Sequence, residues 1–136
     1  MTALTKDRTT PERDGRLVAD TLAVGALIYA GSMYMLNATG DAVPAAPQAA
    51  ATTLVVRAVA RRRASQAQGD TLTDGALGVF GFDNATAADA LARADIGAAC
   101  YALDDCTVAK GHDTKKRPKA GTVVDVDDRG VWVRVG

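Results

Sequence analysis

The side chains with the greatest capacity for chemistry are the only histidine, His112, and the two cysteines, Cys100 and Cys106. A general base needs fixed geometry, because its effect depends on where it is held. His112 lies in the lysine-rich, glycine-flanked segment KGHDTKKRPK, which we predict to be mobile. Ser32 lacks the surrounding Gly-x-Ser-x-Gly pattern of a nucleophile elbow. We therefore predict that the protein is not an enzyme.

The sequence also predicts no metal site. Cys100, Cys106 and His112 have a spacing that matches no zinc pattern. The acidic segment 125–130 places Arg129 where a calcium loop needs an oxygen ligand, so we predict a solvated hairpin turn there.

Three glycines, Gly75, Gly78 and Gly81, recur at every third residue. A phosphate-binding loop would continue into Gly-Lys-Ser/Thr, which this sequence lacks. Glycines inside a strand instead allow a bend or a close approach of two backbones, and we predict that role here. No cofactor is expected.

The cysteine content indicates a reducing compartment, because disulfide-stapled secreted domains contain many more. If Asp104-Asp105 forms a two-residue turn, strand alternation places Cys100 and Cys106 on opposite faces, and no disulfide forms. A three-residue turn would place them on one face. We expect reduced cytoplasmic thiols and leave the turn length open.

The uncharged stretch from Thr21 to Gly40 is the one segment that suggests a membrane. Its apolar part, Leu22–Leu36, is interrupted by glycine and serine and is shorter than the ~18–20 apolar residues of a spanning helix. Acidic residues in the preceding segment also argue against a secretory signal. We predict neither membrane insertion nor export.

The composition predicts a thin core. The chain has 136 residues, and its 16 basic residues balance 16 acidic ones, so no whole-protein field attracts nucleic acid or anionic lipid. Hydrophobic residues make up 48% but include many alanines, and aromatic residues make up only 4%. A short chain buries a modest share of its surface, so assembly with other subunits would add useful burial.

The spacing of apolar residues predicts an all-β domain, a small β-barrel or β-sandwich, over residues 17–136, because glycine-containing turns separate short apolar runs. Alternation is clearest at Val131–Val135, where the valines share one face and Trp132 and Arg134 the other, after the turn-forming residues 127–130. The predicted strands are Leu17–Val24, Leu27–Ala30, Met33–Leu36, Thr53–Arg61, Ala76–Phe82, Ala99–Leu103, Thr107–Lys110, Thr122–Val126 and Val131–Val135.

Three segments are predicted to lie outside these strands. Residues 1–16 are polar and lack a hydrophobic period, which predicts an extended N-terminal arm. Residues 42–51 contain two prolines and few large side chains, which predicts a surface loop or extended connection. Thr86 and Asp89 resemble a capping box and predict a short helix over Ala87–Ala94.

Two clusters of positive charge interrupt an acidic background, and we predict that they are docking patches for a surface of complementary charge. Their residues are Arg57, Arg61, Arg62 and Arg63 in the first cluster, and Lys115, Lys116, Arg117 and Lys119 in the second. The alternative is two solvated loops that keep the protein soluble. Nucleic-acid binding is a competing hypothesis, disfavoured by the neutral chain and the few aromatic side chains.

Runs of residues at both ends of the chain carry a resemblance to a known family. They are LTKDRTTPER at 4–13, ADIG at 94–97, Cys100-Tyr101, Asp104-Asp105, TVAK at 107–110, AGTVVDV at 120–126 and GVWV at 130–133. These runs resemble the head decoration proteins of tailed bacteriophages, also called capsid cement proteins. The resemblance covers about half of the chain, and residues 41–70 match only in general texture.

The resemblance implies a small β-barrel or sandwich on the outer surface of the virion, added in the host cytoplasm. Such a protein, often a homotrimer, clamps neighbouring subunits of the major capsid protein, and the family offers no catalytic residues. The Arg61–Arg63 run and the Lys115–Lys119 cluster depart from the family. Arm residues expected to lie across the shell or a neighbouring copy are Leu4, Lys6, Arg8, Pro11 and Arg13.

Trp132 is the only tryptophan, and it lies on the strand face opposite the valines. We predict a subunit contact, because tryptophan is favoured at interfaces. Core packing is one alternative. The other is a glycan- or receptor-binding virion protein, for which Tyr29 and Tyr34 are the other candidate aromatic side chains.

Overall fold

The computed structural model describes residues 2–13 and 15–136, and within them the regular secondary structure is almost entirely short strands. The all-β prediction is confirmed. The strands are β1 (Leu17–Thr21), β2 (Leu27–Ile28), β3 (Met33–Leu36), β4 (Ala42–Pro44), β5 (Val56–Ala60), β6 (Ala64–Ser65), β7 (Leu72–Ala76), β8 (Gly78–Asn84), β9 (Ala99–Ala102), β10 (Thr107–Ala109), β11 (Lys119–Asp127) and β12 (Gly130–Val135).

Five strands of the C-terminal half close into a barrel in the order β10-β8-β12-β11-β9. The pairs are antiparallel except that β10 runs parallel to β8. Val108, Val123, Val131, Val133 and Val135 are fully buried inside it. A barrel of so few strands has little interior space, which is why short branched side chains fill it.

The predicted hairpin of β11 and β12 forms, with Val126 opposite Val131 and Asp127 opposite Gly130. The Asp127 Oδ1 atom accepts hydrogen bonds from the amides of Arg129 and Gly130 at 2.8 and 3.2 Å, which closes the turn. Trp132 and Arg134 point away from the buried valines, as the alternation predicts. Local pattern and turn chemistry therefore determine this part of the fold.

The N-terminal half forms a second sheet with the order β1-β7-β5-β3-β4. Its central strands separate two cores, because successive side chains of a strand point to opposite faces. Met33 packs into the barrel core, whereas its neighbour Tyr34 packs with Ile28 and Ala58 in a second cluster. Many members of that cluster are alanines, in keeping with the thin core expected from composition.

The chain passes from the sheet into the barrel at Leu77 and Gly78. The single predicted strand Ala76–Phe82 is in fact parts of two strands, β7 and β8, and Gly78 supplies the bend with a φ of +147°. A Cβ atom on Gly75 would clash with the Tyr34 hydroxyl and lie 2.6 Å from the Ala58 Cβ. The predicted bend is therefore found at Gly78, whereas Gly75 makes room for the side chains of Tyr34 and Ala58 instead of for a neighbouring backbone.

The predicted helix over Ala87–Ala94 does not form. Two single 3-10 turns replace it, Ala87–Asp89 and Arg93–Asp95, and the Thr86 side chain makes no capping hydrogen bond. The Asn84 side chain hydrogen-bonds both the amide and the carbonyl of buried Leu91 at 2.8 Å. These bonds, and the burial of Leu91, hold the middle of the segment extended.

The segment 42–51 is partly ordered into the sheet. Ala42–Pro44 forms β4, and both Ala42 and Ala45 are buried. Residues 46–51 lie outside the strands, as predicted. Alanine fits where β4 packs on the body, so a lack of large side chains did not imply a surface position.

The remaining predictions concern residues 1–40. Residues 2–13 are exposed and lie outside every strand, whereas Met1 and Asp14 fall outside the described residues. The body begins where the Leu77 amide donates a hydrogen bond to the Arg16 carbonyl. The stretch 21–40 contains β2 and β3. Over the described ranges, no helix has the length and hydrophobicity needed to cross a bilayer.

Candidate functional site

The residues considered for catalysis are not brought together. The Ser32 hydroxyl donates to the Tyr29 carbonyl at 2.7 Å, and Cys100 is buried in the barrel core. His112 Nδ1 accepts a hydrogen bond from the Lys115 amide at 3.0 Å, and its ring lies edge-on to Tyr101 at 5.6 Å. The contacts of His112 are therefore structural, because its Nδ1 atom accepts a hydrogen bond from the backbone of the following turn.

The segment around His112 is a defined turn, in contrast to the predicted mobile loop. Asp113, Thr114 and Lys115 all adopt left-handed conformations, with φ of 49°, 53° and 64°. Each such residue costs about 1–2 kcal/mol, so the turn needs support from its surroundings. The Lys116 amide donates to the Asp113 carbonyl at 3.1 Å, and the Arg117 amide to the His112 carbonyl at 3.1 Å.

The second basic cluster contains one arginine that is bonded inside the chain and two lysines that are exposed and unpaired among the described residues. Arg117 Nη1 donates to Asp89 Oδ2 at 3.1 Å and to the Gly111 carbonyl at 3.0 Å, and its side chain is only 12% exposed. It ties the left-handed turn to the first 3-10 turn. Within the described part of the chain, Lys115 and Lys119 form no ion pair, and both are exposed.

The first basic cluster is also partly neutralised inside the chain. Arg57 contacts the Asp20 carboxylate through two nitrogens at 3.1–3.3 Å. Arg62 pairs with Asp74 at 3.0 Å, and the Arg63 guanidinium lies 5.6 Å from the centroid of the Tyr29 ring. Each contact engages an arginine that the sequence offered as a docking residue.

Arg61 keeps its charge available and lies beside the arm. It lines a cleft of about 390 Å³ together with Arg13, Leu17, Arg57 and Asp74. Neither Arg13 nor Arg61 has an ion-pair partner among residues 2–13 and 15–136. Here a predicted arm residue and a predicted docking patch meet. The other arm candidates, all exposed, are Leu4, Lys6, Arg8 and Pro11.

Trp132 lies on the outer surface of the barrel. The residue is 39% exposed, its ring packs over Gly81, and its indole N–H donates to Asp127 Oδ2 at 3.1 Å. The exposed Val79 is opposite Arg134 on the same pair of strands. Core packing of Trp132 is therefore excluded, and the interface and glycan hypotheses stay open.

The Trp132–Asp127 contact predicts an acid transition in tryptophan fluorescence. The hydrogen bond from Trp132, followed by those from the amides of Arg129 and Gly130, lowers the pKa of Asp127. The contact is thus complete above the usual aspartate pKa of about 3.9 and is lost as the pH falls through the lower folded value. We expect an emission change in that range while far-UV circular dichroism stays constant. The same transition in Asp127→Asn would contradict this assignment.

The two cysteines are free and differ in exposure. The Leu103 amide bonds the Thr107 carbonyl at 2.9 Å, so the turn has three residues and includes Cys106 itself. Carboxylate and thiol atoms of Asp104, Asp105 and Cys106 lie within 4.8 Å of one another. One carboxylate oxygen there accepts the Cys106 amide at 2.8 Å, which is ordinary turn chemistry.

We predict that a thiol-specific disulfide reagent modifies one cysteine in the native protein. Burial raises the pKa of the Cys100 thiol to about 11 and also blocks access to it. At Cys106 the Thr107 hydrogen bond lowers the pKa, but burial and the carboxylates of Asp104 and Asp105 raise it by more, so reaction should accelerate with pH. Cys106→Ser should abolish native labelling and Cys100→Ser should retain it. Equal labelling of both thiols before unfolding would contradict the barrel assignment of Cys100.

Comparison of the chain with protein-family models, curated proteins and solved structures finds no match.

Proposed function

We propose that this protein decorates the outer surface of an assembled tailed-phage head and stabilises contacts between major capsid protein subunits. The observation that carries the proposal is the contrast between arm and body. Residues 2–13 are exposed and unpaired with any strand, while residues 15–136 contain a barrel, a five-stranded sheet and the two-stranded sheet of β2 and β6. An arm of this kind gains order on a partner, at a cost of about 1–2 kcal/mol per residue fixed.

Placement of the resembling residues also supports the proposal. Apart from the ADIG run at 94–97, the later runs lie on the barrel strands β9, β10, β11 and β12 and on the turn between β9 and β10. The earlier run, 4–13, is the exposed arm. The resembling residues therefore lie mostly on the barrel and on an arm next to a basic cleft. These are the two parts that a protein clamping a larger surface needs.

Repetition on a symmetric shell would strengthen weak contacts. Each site on a capsid surrounds a copy with identical neighbours, and simultaneous engagement raises the effective concentration at every junction. Self-association into a homotrimer, with the Trp132 face as one interface, would likewise increase the number of contacts made at the same time. The site residues described above perform no covalent chemistry in this proposal.

Co-sedimentation tests the proposed function. Heads of the phage that encodes this chain, stripped of surface proteins, are mixed with the purified protein and pelleted. We expect saturable binding at a fixed ratio to the major capsid protein. Protein that stays in the supernatant at every concentration would contradict the proposal, whereas salt-sensitive retention on DNA would favour the nucleic-acid hypothesis.

A second candidate function, glycan or receptor binding, is favoured by the exposed ring of Trp132 next to Asp127. Sugars stack on exposed aromatic rings and hydrogen-bond to neighbouring carboxylates. Quenching of the single tryptophan by soluble glycans, absent in Trp132→Ala, would support this candidate. A change of oligomeric state in Trp132→Ala would support the subunit interface.

A further inference from the structure

Two neighbouring cavities lie along the junction between the sheet and the barrel, and together they are called the groove. Their volumes are about 240 and 220 Å³, and Val55 and Lys119 line both of them, so they lie side by side between residues 52–56 and β11. The first cavity forms a basic end of the groove and the second an apolar end. The basic end is lined by Thr52, Thr53, Tyr101, His112, Lys115 and Arg117.

The walls of the groove are tied together by backbone contacts. The Thr52 amide donates to the Lys115 carbonyl at 2.8 Å, and the Gln48 amide to the Lys116 carbonyl at 2.8 Å. Between the two cavities, Val55 forms a parallel backbone bridge with Lys119, so a ligand that occupies both cavities passes over these two side chains. The groove is thus preformed, which lowers the entropic cost of binding a ligand.

The basic end contains two positive charges that no described residue compensates. Its lining includes no carboxylate, and Lys115 and Lys119 have no ion-pair partner in the described part of the chain. A carboxylate that enters this end therefore meets two ammonium groups that have no ion-pair partner among the described residues, and charge-assisted hydrogen bonds of this kind are strong.

The apolar end favours a peptide over a free anion or a nucleic acid. Val55, Val56 and Ala120 line it, and Arg134 adds one charge. A phosphate would use only the basic end, and a nucleic acid would need stacking surfaces that the groove lacks, because His112 already lies against the Tyr101 ring. An extended segment can place an acidic side chain at one end and apolar side chains at the other.

We propose that this groove binds an extended segment of the capsid protein, with a glutamate or aspartate carboxylate held between Lys115 and Lys119. The inference rests on the proposed function for the identity of the partner. The carboxylate accepts hydrogen bonds from the two ammonium groups, and the apolar neighbours of the acidic residue pack on Val55 and Ala120. Arg117 remains bound to Asp89 and sets the position of the left-handed turn.

Peptide titration tests the chemistry of the groove without a capsid. The probe is the capped peptide Ala-Glu-Val-Glu-Ala-Val, followed by ¹H–¹⁵N spectra of the intact protein at low salt. Signals from groove residues should shift, and Lys115→Gln with Lys119→Gln should weaken binding about tenfold or more. The control, Arg93→Gln with Lys110→Gln, removes the same charge at exposed positions outside both the groove and the arm, and should keep the affinity.

Three results would overturn the inference. One is equal binding of the glutamine-substituted peptide, and another is binding of inorganic phosphate or oligothymidylate in place of the peptide. The third is decoration of heads by the Lys115/Lys119 double variant at the level of the control. That third result leaves the proposed function intact. Failure of the native protein to bind heads contradicts the proposed function, and the peptide titration then shows independently whether the groove binds an acidic segment.

Discussion

Asp20→Ala should lower the free energy of unfolding by about 2–4 kcal/mol, the largest loss we expect from a single polar side chain. The Asp20 side chain is 9% exposed and joins Tyr34, whose hydroxyl donates at 2.8 Å, to Arg57, whose side chain is 34% exposed. Removing the carboxylate leaves a buried hydroxyl without its acceptor. Burial, followed by the Asp20 hydrogen bond, raises the pKa of Tyr34 above its usual value, so the hydroxyl stays a donor at neutral pH.

Asp74→Ala is the matched control, because Asp74 lies on the neighbouring strand opposite Ala19 and pairs with Arg62 at the surface. An exposed pair contributes about 0–1 kcal/mol, so this variant should be close to the native protein in stability. Urea unfolding of both variants measures the difference. Equal losses in the two variants would show that Asp20 does not organise the sheet.

Deletion of residues 2–13 should leave the body folded and reduce the affinity for heads about a hundredfold, which corresponds to about 2.7 kcal/mol. Those residues contribute no strand and no buried side chain, so the melting temperature should change little. The arm would instead supply contacts that exist only on the shell. Circular dichroism melting and head co-sedimentation, measured on one preparation, separate the two effects.

A charge variant of the arm isolates its basic residues from its length. Replacing Lys6, Arg8 and Arg13 with glutamine keeps the chain intact and removes only the proposed anchors. We expect an intermediate loss of affinity that becomes smaller at high salt, because exposed charges are screened. If the deletion variant decorates heads as well as the native protein, the arm is not the contact with the shell, and the groove and the basic cleft are the remaining candidates.

The features that could be predicted from sequence are those set by neighbours in the chain. The β11–β12 hairpin follows from alternating valines and from Asp127, whose carboxylate closes a turn only two or three residues ahead. The glycine at the bend between β7 and β8 was predictable for the same reason. The alternation of hydrophobic residues and the chemistry of turn residues are local properties of the sequence, and the tertiary packing does not override them here.

The features that could not be predicted depend on residues far apart in sequence. Arg57 meets Asp20 across 37 positions, and Arg117 meets Asp89 across 28, so charges that looked available for docking are engaged inside the chain. The helix over Ala87–Ala94 had good local signals, yet Asn84 and the burial of Leu91 override them. Tertiary packing outweighs a propensity of a few tenths of a kcal/mol per residue.

The groove residues were missed for the same reason. Thr52 and Tyr101 approach the lysine turn only because the 48–52 segment and β9 pack beside it, and no pattern in the sequence links them. The lysines themselves were identified by their density. Their arrangement around one cavity required the folded chain.

A density map of the intact mature head tests the central claim most directly. The account predicts that the barrel and sheet fit density on the outer surface of the shell, where they contact more than one capsid subunit. It also predicts that residues 2–13 are ordered along that shell. A map of particles that contain no density for this protein, or that place it only inside the head with the genome, would contradict the account.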